Sequence, residues 1–158
     1  MRRRCEASAV IRAPAAEIWK VVSDVTRVGE WSGECQGCDW IGGAGAPVAG
    51  AQFRGRNRRG GVRWTRLNEV VSAEAPHRLV WRTVPRFPYL DSVEWQLSLE
   101  EEALGTLVTE SFRIVRLSKA MEKMLDVFMP AHRDRTADLA SDLDRLRLLV
   151  EAGDQANS

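Results

Sequence analysis

The chain has little of what would mark several common function classes. It contains three cysteines in 158 residues, an odd number and too few for a disulfide framework, which fits a reducing compartment. It has two histidines and no paired-histidine motif, so no metal site and no cofactor are expected. Neither sign of charge is in excess: 23 Lys and Arg stand against 22 Asp and Glu, a net charge of +1. A dedicated nucleic-acid binder carries a strong basic excess, so no nucleic-acid partner is expected. No apolar run approaches the roughly 18 residues of a membrane span. Met1-Arg2-Arg3-Arg4 is basic like the start of a signal peptide, but Glu6 and Ser8 interrupt the stretch after it. No cleavable apolar region develops, and a cytoplasmic location is the default expectation. Tyrosine is nearly missing, one against six tryptophans. Those tryptophans are spread along the chain and must bury large ring areas.

What is present is a change of period. Cys5 to Ile11 alternates weakly and suggests a strand. Pro14 fits the first turn of a helix, where its missing N–H costs nothing. Ile18, Trp19 and Val22 give that helix one apolar face. Thr26 is placed to cap a second short turn carrying Val28 and Trp31. From about Cys35 to Leu117 the period is two. Ala51, Phe53, Gly55 and Asn57 share one strand face, and Gln52, Arg54, Arg56 and Arg58 the other. Gly42 to Gly50 reads as a loop, and Gly60-Gly61 as a tight hairpin turn. Val62 to Ala73 returns, with its inward face ambiguous. Leu79, Trp81 and Thr83 alternate in the next strand, and Val93, Trp95, Leu97 and Leu99 in the one after. Gly105 turns into a last strand, Thr106 to Arg116.

The end is helical. Ser118 can cap it and Gly153 can stop it. Met121, Leu125, Phe128, His132, Arg135, Leu139, Leu143, Leu146 and Val150 recur in steps of four and three, one helix face. A straight helix over this stretch would run about 50 Å at about 1.5 Å per residue. A compact domain of this size cannot hold it, so a kink or break is expected just before Pro130. The predicted architecture is α+β: a curved antiparallel sheet of about seven strands around a long C-terminal helix, with two short helices after the first strand. Such a sheet and helix do not interdigitate everywhere, and the space left between them is a natural ligand cavity.

The order of weak motifs resembles the START-like, helix-grip (SRPBCC) superfamily in its polyketide cyclase/dehydrase-like branch. The residues that carry it are Ala13-Pro14, Ile18-Trp19, Val22-Ser23-Asp24, Glu30-Trp31-Ser32, the run Gly50 to Arg58, Arg63-Trp64-Thr65, Trp81, and Gly105 to Phe112. The resemblance implies one START-like ligand-binding domain over 1–152, followed by a flexible tail, 153–158. It implies a cavity for a hydrophobic small molecule: a polyketide, lipid or aromatic metabolite. It does not imply one activity, because members cyclise or dehydrate polyketides, or carry ligands. No shared catalytic motif transfers.

Candidate site residues come from the strand faces. The expected ligand wall is Trp31, Phe53, Asn57, Trp64, Trp81, Trp95 and Phe112 facing Met121, Leu125 and Phe128. The candidate catalytic groups are Glu110, Arg66 and His132. Glu110 shares a face with Val108, Phe112 and Ile114, where a carboxyl acquires a raised pKa and can act as general acid or base. Its plain alternative is an edge position, or a partner for an arginine such as Arg66. Arg66 and Asn57 can orient a carbonyl or enolate oxygen, unless a bulge turns them outward. His132 reads as a satisfied histidine bonded to carbonyls freed by Pro130, or as a proton shuttle. His77 reads as exposed. Cys35-Gln36-Gly37-Cys38 has CxxC spacing but no second CxxC and no helix-opening context. A zinc or redox role, with Cys5 brought near if the first two strands are neighbours, stands beside two reduced thiols. Arg54, Arg56, Arg58, Arg59 and Arg63 read as a solvated hairpin face, or as a surface for an anionic partner. The function expected is hydrophobic ligand binding. The alternatives are a polyketide cyclase, aromatase or dehydratase, and an interaction domain that binds protein or nucleic acid through the arginine hairpin.

Overall fold

Period-two alternation builds seven strands into one antiparallel sheet, ordered β1-β7-β6-β5-β4-β3-β2. The structure, a computed structural model, describes residues 1–156. The strands are β1 (Arg4–Ile11), β2 (Cys35–Ile41), β3 (Gln52–Arg59), β4 (Val62–Glu74), β5 (Arg78–Thr83), β6 (Ser92–Glu102) and β7 (Gly105–Arg116). β2 to β7 form a meander, and β1 lies beside β7 at the far edge. Gly60, at φ +58°, makes the tight β3–β4 turn that a side chain would strain.

Between β1 and β2 lie α1 (Ala15–Val22), a 3-10 turn (Val25–Arg27) and α2 (Val28–Trp31). Pro14 stands just before α1 rather than inside it. Asp24, not Thr26, caps the turn. Its carboxylate accepts from the Thr26 N–H at 3.0 Å and the Thr26 hydroxyl at 2.6 Å, and an ionised oxygen two residues upstream is the stronger acceptor for that free N–H.

The C-terminal stripe is broken rather than bent. α3 (Lys119–Phe128) ends at Met129, a 3-10 turn spans Pro130–Arg133, and α4 (Thr136–Ala156) completes the fold. Ser118 caps α3 by accepting from the Met121 N–H at 3.2 Å. α4 runs past Gly153, so the expected stop there is absent. A glycine inside a helix costs only about 1 kcal/mol. Asn157 and Ser158 of the expected tail lie outside the described residues.

The two halves of the stripe have different fates. Leu143, Leu146 and Val150 of α4 are buried, packed with Ile11, Ile18, Val22, Trp31, Leu97, Leu99 and Val108, and Leu139 is buried against Cys5 and Phe112. α3 has no buried residue, and Phe128 is 76% exposed. A second cluster, Val25, Cys38, Ala51, Phe53, Val70 and Leu79, fills the β2–β5 side without α4. This is the expected α+β sheet gripping a helix, with α4 as the gripped element. Leu143 is completely buried; Leu143→Ala is expected to cost about 2–5 kcal/mol in urea unfolding. A loss under about 1 kcal/mol would show that α4 is not the cover. Among the described residues no helix is long and apolar enough to cross a membrane.

Candidate functional site

Because α4 packs along only part of the sheet, a gap remains beneath α3. It is a cavity of about 460 Å³, walled by β2 to β7, α2, α3 and the α3–α4 connection. Strand register decides which side chains face it. In β3, Phe53, Gly55 and Asn57 face in, while Arg54, Arg56 and Arg58 face solvent. In β4, Trp64, Arg66, Asn68 and Val70 face in, which settles the ambiguous strand. Trp81 pairs with Trp95 across β5–β6, and Trp95 with Phe112 across β6–β7. The result is a ladder of rings: Trp81 and Trp95 stack at 6.2 Å between centroids, and Trp95 meets Phe112 edge-on at 5.0 Å. Met121, Leu125 and Phe128 of α3 close the opposite side, and Trp31 of α2 the base of that wall. All the side chains expected to bind or react therefore stand on one cavity, Glu110, Arg66 and His132 included.

Their surroundings differ from expectation. Glu110 is neither at a sheet edge nor hydrogen-bonded to an arginine. It is 2% exposed, and its Oε2 is buried with no hydrogen-bond partner. Burial, reinforced by the nearby charge of Asp142 and opposed by Arg135, pushes its pKa up to about 8. At neutral pH it is a carboxylic acid, able to donate a hydrogen bond. Arg66 is already engaged: Nη1 donates to both Asp91 carboxylate oxygens at 3.0 and 2.9 Å, and Nη2 to the Asp91 carbonyl at 3.1 Å. Its guanidinium also lies 5.3 Å from the Tyr89 ring centroid. His132 bonds not to a freed carbonyl but to Glu34, with Nε2 2.9 Å from Oε2.

Glu34 is the centre the sequence did not mark. It accepts from Arg135 Nη1 at 3.1 Å and Nη2 at 3.0 Å, and from Arg59 Nη1 at 3.4 Å. Burial alone would raise its pKa, but the His132 hydrogen bond and the Arg135 charge outweigh it and hold the carboxyl at about 2. An ionised carboxylate only accepts, so His132 Nε2 carries the proton in this bond. Arg135 in turn lies over the Trp95 and Phe112 rings, at 5.3 and 5.7 Å, a cation–π contact joining the ion network to the ring ladder. An arginine on an otherwise apolar stripe was the available signal for this network; nothing local distinguished Glu34.

Two further readings are corrected. Arg59 leaves the solvated hairpin face and donates to Asp138 of α4 at 2.8 and 3.0 Å, because β3 ends beside that helix. Cys5 is not near the other thiols, since β1 and β2 occupy opposite edges of the sheet. Cys35 and Cys38 do face the cavity together, with Sγ atoms 3.3 Å apart.

The family model described as polyketide cyclase/dehydrase and lipid transport matches residues 2–151. Among solved structures, the chain is similar to a polyketide-cyclase-like protein from Corynebacterium glutamicum, with 29% identity over 95% of this chain and 92% of that one and a TM-score of 0.62. It shares the fold of TTHA0849 from Thermus thermophilus, at 17% identity, 95% and 98% coverage and a TM-score of 0.72. It shares it also with DynU16, a putative protein in the dynemicin biosynthetic locus, at 18% identity and a TM-score of 0.62, covering 97% of this chain and 49% of that one. No curated protein matches the sequence.

Proposed function

The chain belongs to the polyketide cyclase/dehydrase and lipid-transport family, and from that premise we propose that it binds a hydrophobic small molecule, a polyketide, lipid or aromatic metabolite, in the cavity beneath α3. The observation that carries this reading is a cavity of about 460 Å³ with a wall of stacked rings and one unpaired carboxylic acid. Pockets of about 300–1,000 Å³ with few polar groups suit organic ligands of drug size. The Trp81–Trp95–Phe112 ladder favours a planar guest, and Glu110 offers a hydrogen bond to an oxygen on it. A cytoplasmic setting is part of this reading, supported by the free thiols of all three cysteines.

Native mass spectrometry of protein purified from its own host is the direct test, because a retained apolar guest would name the substrate class. In vitro, 1-anilinonaphthalene-8-sulfonate is expected to bind and quench tryptophan fluorescence. Trp95→Ala is expected to weaken that binding about tenfold, roughly 1.4 kcal/mol. Binding unchanged in the variant would remove the ring ladder from the site.

A second reading is favoured by Glu110 alone. A carboxylic acid that keeps its proton at neutral pH can protonate a leaving hydroxyl or a carbonyl oxygen, the step that a dehydratase or cyclase needs. On this reading Glu110→Gln lowers turnover of a polyketide substrate by about 10²–10⁴-fold while binding persists. Arg66 and His132, already bonded to Asp91 and Glu34, serve as positioning residues.

A further inference from the structure

We propose that Cys35 and Cys38 form a reversible dithiol–disulfide couple in the cavity wall, oxidised by a small neutral peroxide. The inference stands apart from the ligand reading.

The geometry begins with a bulge. In a regular strand, residues three apart point to opposite faces. Here the β2–β3 register slips between Cys35 and Gly37, so Cys35 opposes Asn57 and Cys38 opposes Gly55. Partners two residues apart on β3 lie on one face. The extra residue thus turns a CxxC pair, which a flat strand would split, into two thiols side by side. Their sulfurs, 3.3 Å apart, need to close to about 2.05 Å to bond. Gly55 of β3 lies against both thiols: a Cβ there would stand 3.5 Å from the Cys38 sulfur and 3.9 Å from the Cys35 sulfur, ordinary contact distances, so one residue of the neighbouring strand meets the two sulfurs together.

The two thiols are chemically unequal. The Cys38 hydrogen bond, against burial, draws the Cys35 pKa down, with smaller help from Gly37. Cys38 is pushed up by that same bond and by burial. Cys35 is only half-buried and Cys38 is buried, so a peroxide in the cavity reaches Cys35 first, which makes Cys35 the attacking thiol and Cys38 the resolving one. Among the described residues no group of three or more His, Cys, Asp or Glu is placed to hold a metal ion, so the pair stands without the further ligands of a closed zinc site. An oxidant reaching a half-buried and a buried thiol through an apolar cavity must be small and uncharged, which favours hydrogen peroxide over a charged disulfide.

The step balances. The Cys35 thiolate attacks one peroxide oxygen; an S–O bond forms and the O–O bond breaks. The departing hydroxide takes the proton that Cys35 had lost, giving water. The Cys38 sulfur then attacks the Cys35 sulfenic acid; the S–S bond forms, the S–O bond breaks, and hydroxide leaves with the Cys38 proton as a second water. Two thiols are oxidised and one peroxide is reduced to two waters.

The full chain treated with hydrogen peroxide, quenched, unfolded and alkylated with iodoacetamide is expected to take one label, on Cys5, where the reduced chain, with its three free cysteines, takes three. Dithiothreitol is expected to restore all three. Cys5→Ser is expected to oxidise as the parent does and take none. Cys38→Ala is expected to stop at a sulfenic acid on Cys35 that dimedone traps. Oxidised parent chain that still takes three labels overturns the proposal. So does oxygen added at Cys35 without loss of the Cys38 thiol, or a disulfide that maps to Cys5 between two chains.

Discussion

Glu110→Gln is expected to make the protein progressively more stable than the parent as pH rises from about 4.5 to about 8. The sign comes from where the proton sits. An ordinary glutamate ionises near 4.5, whereas buried Glu110 holds its proton to about 8. Below 4.5 both folded and unfolded chains carry the proton, and the fold suffers no penalty from this group. Between the two values the unfolded chain releases the proton and the folded chain keeps it. Stability then falls with pH by about 1.4 kcal/mol per unit. Above 8 the folded chain ionises as well and the loss levels off, at a total on the order of 4–5 kcal/mol. Glutamine occupies nearly the same volume and has no proton to lose. Asp142, also raised by burial, adds a slope of the same sign to both proteins, so the difference between them reads Glu110 together with its repulsion from Asp142. Urea unfolding at pH 5.5, 6.5, 7.5 and 8.5 reads the effect directly. Parallel profiles for the two proteins would mean that Glu110 is ionised or solvated in the fold.

The strands were legible because their faces differ: Phe53, Gly55 and Asn57 against Arg54, Arg56 and Arg58 admits one register in a half-buried sheet. Pro130 announced the break in the last helix because it cannot donate the bond that would continue it. The fate of the two resulting helices was not legible. Met121, Leu125 and Phe128 repeat at the same spacing as Leu139, Leu143 and Leu146, yet only the second set is buried. Periodicity reports which residues share a face, and says nothing of how closely another surface approaches it. The gap under α3 is a property of where the sheet curves away, which is set by contacts distant in sequence.

The ring wall was legible for the same reason as the strands. The charges were not. Glu110 could be read as a carboxyl on an apolar face, but whether an arginine reached it depended on Asp91 taking Arg66 and Glu34 taking Arg135. Both choices join segments with no local relation. The β2 bulge was equally hidden: Cys35 and Cys38 at three-residue spacing belong to opposite faces of a flat strand, and only the pairing to β3 puts them together.

Glu34→Gln tests the other half of the site, and the expected loss is about 3–5 kcal/mol of stability. Glu34 is the acceptor for two arginines and His132 at once, and the Arg135 side chain is only 7% exposed. Removing the negative charge leaves that guanidinium desolvated over the Trp95 and Phe112 rings with its principal counter-ion gone. The effect belongs to the pair rather than to either residue, so Glu34→Gln combined with Arg135→Met is expected to be less destabilised than Glu34→Gln alone, because the stranded cation is removed too. A double variant whose loss is the sum of the two single losses would show that the residues are not coupled. The pH dependence gives a second readout of opposite sign to that of Glu110. Glu34, depressed to about 2, contributes stability that is fully present above about 4.5 and is lost as pH falls towards 2. The parent is therefore expected to lose stability on both sides: on the acid side as Glu34 is protonated and releases Arg135, and on the alkaline side as burial penalises Glu110. Glu34→Gln is expected to flatten only the acid limb, part of which Glu94 and Asp134 retain, and Glu110→Gln only the alkaline one, part of which Asp142 retains. Two carboxyls on one cavity thus hold opposite protonation states at neutral pH, one because arginines and a histidine bond to it and the other because it is buried without a hydrogen-bond partner.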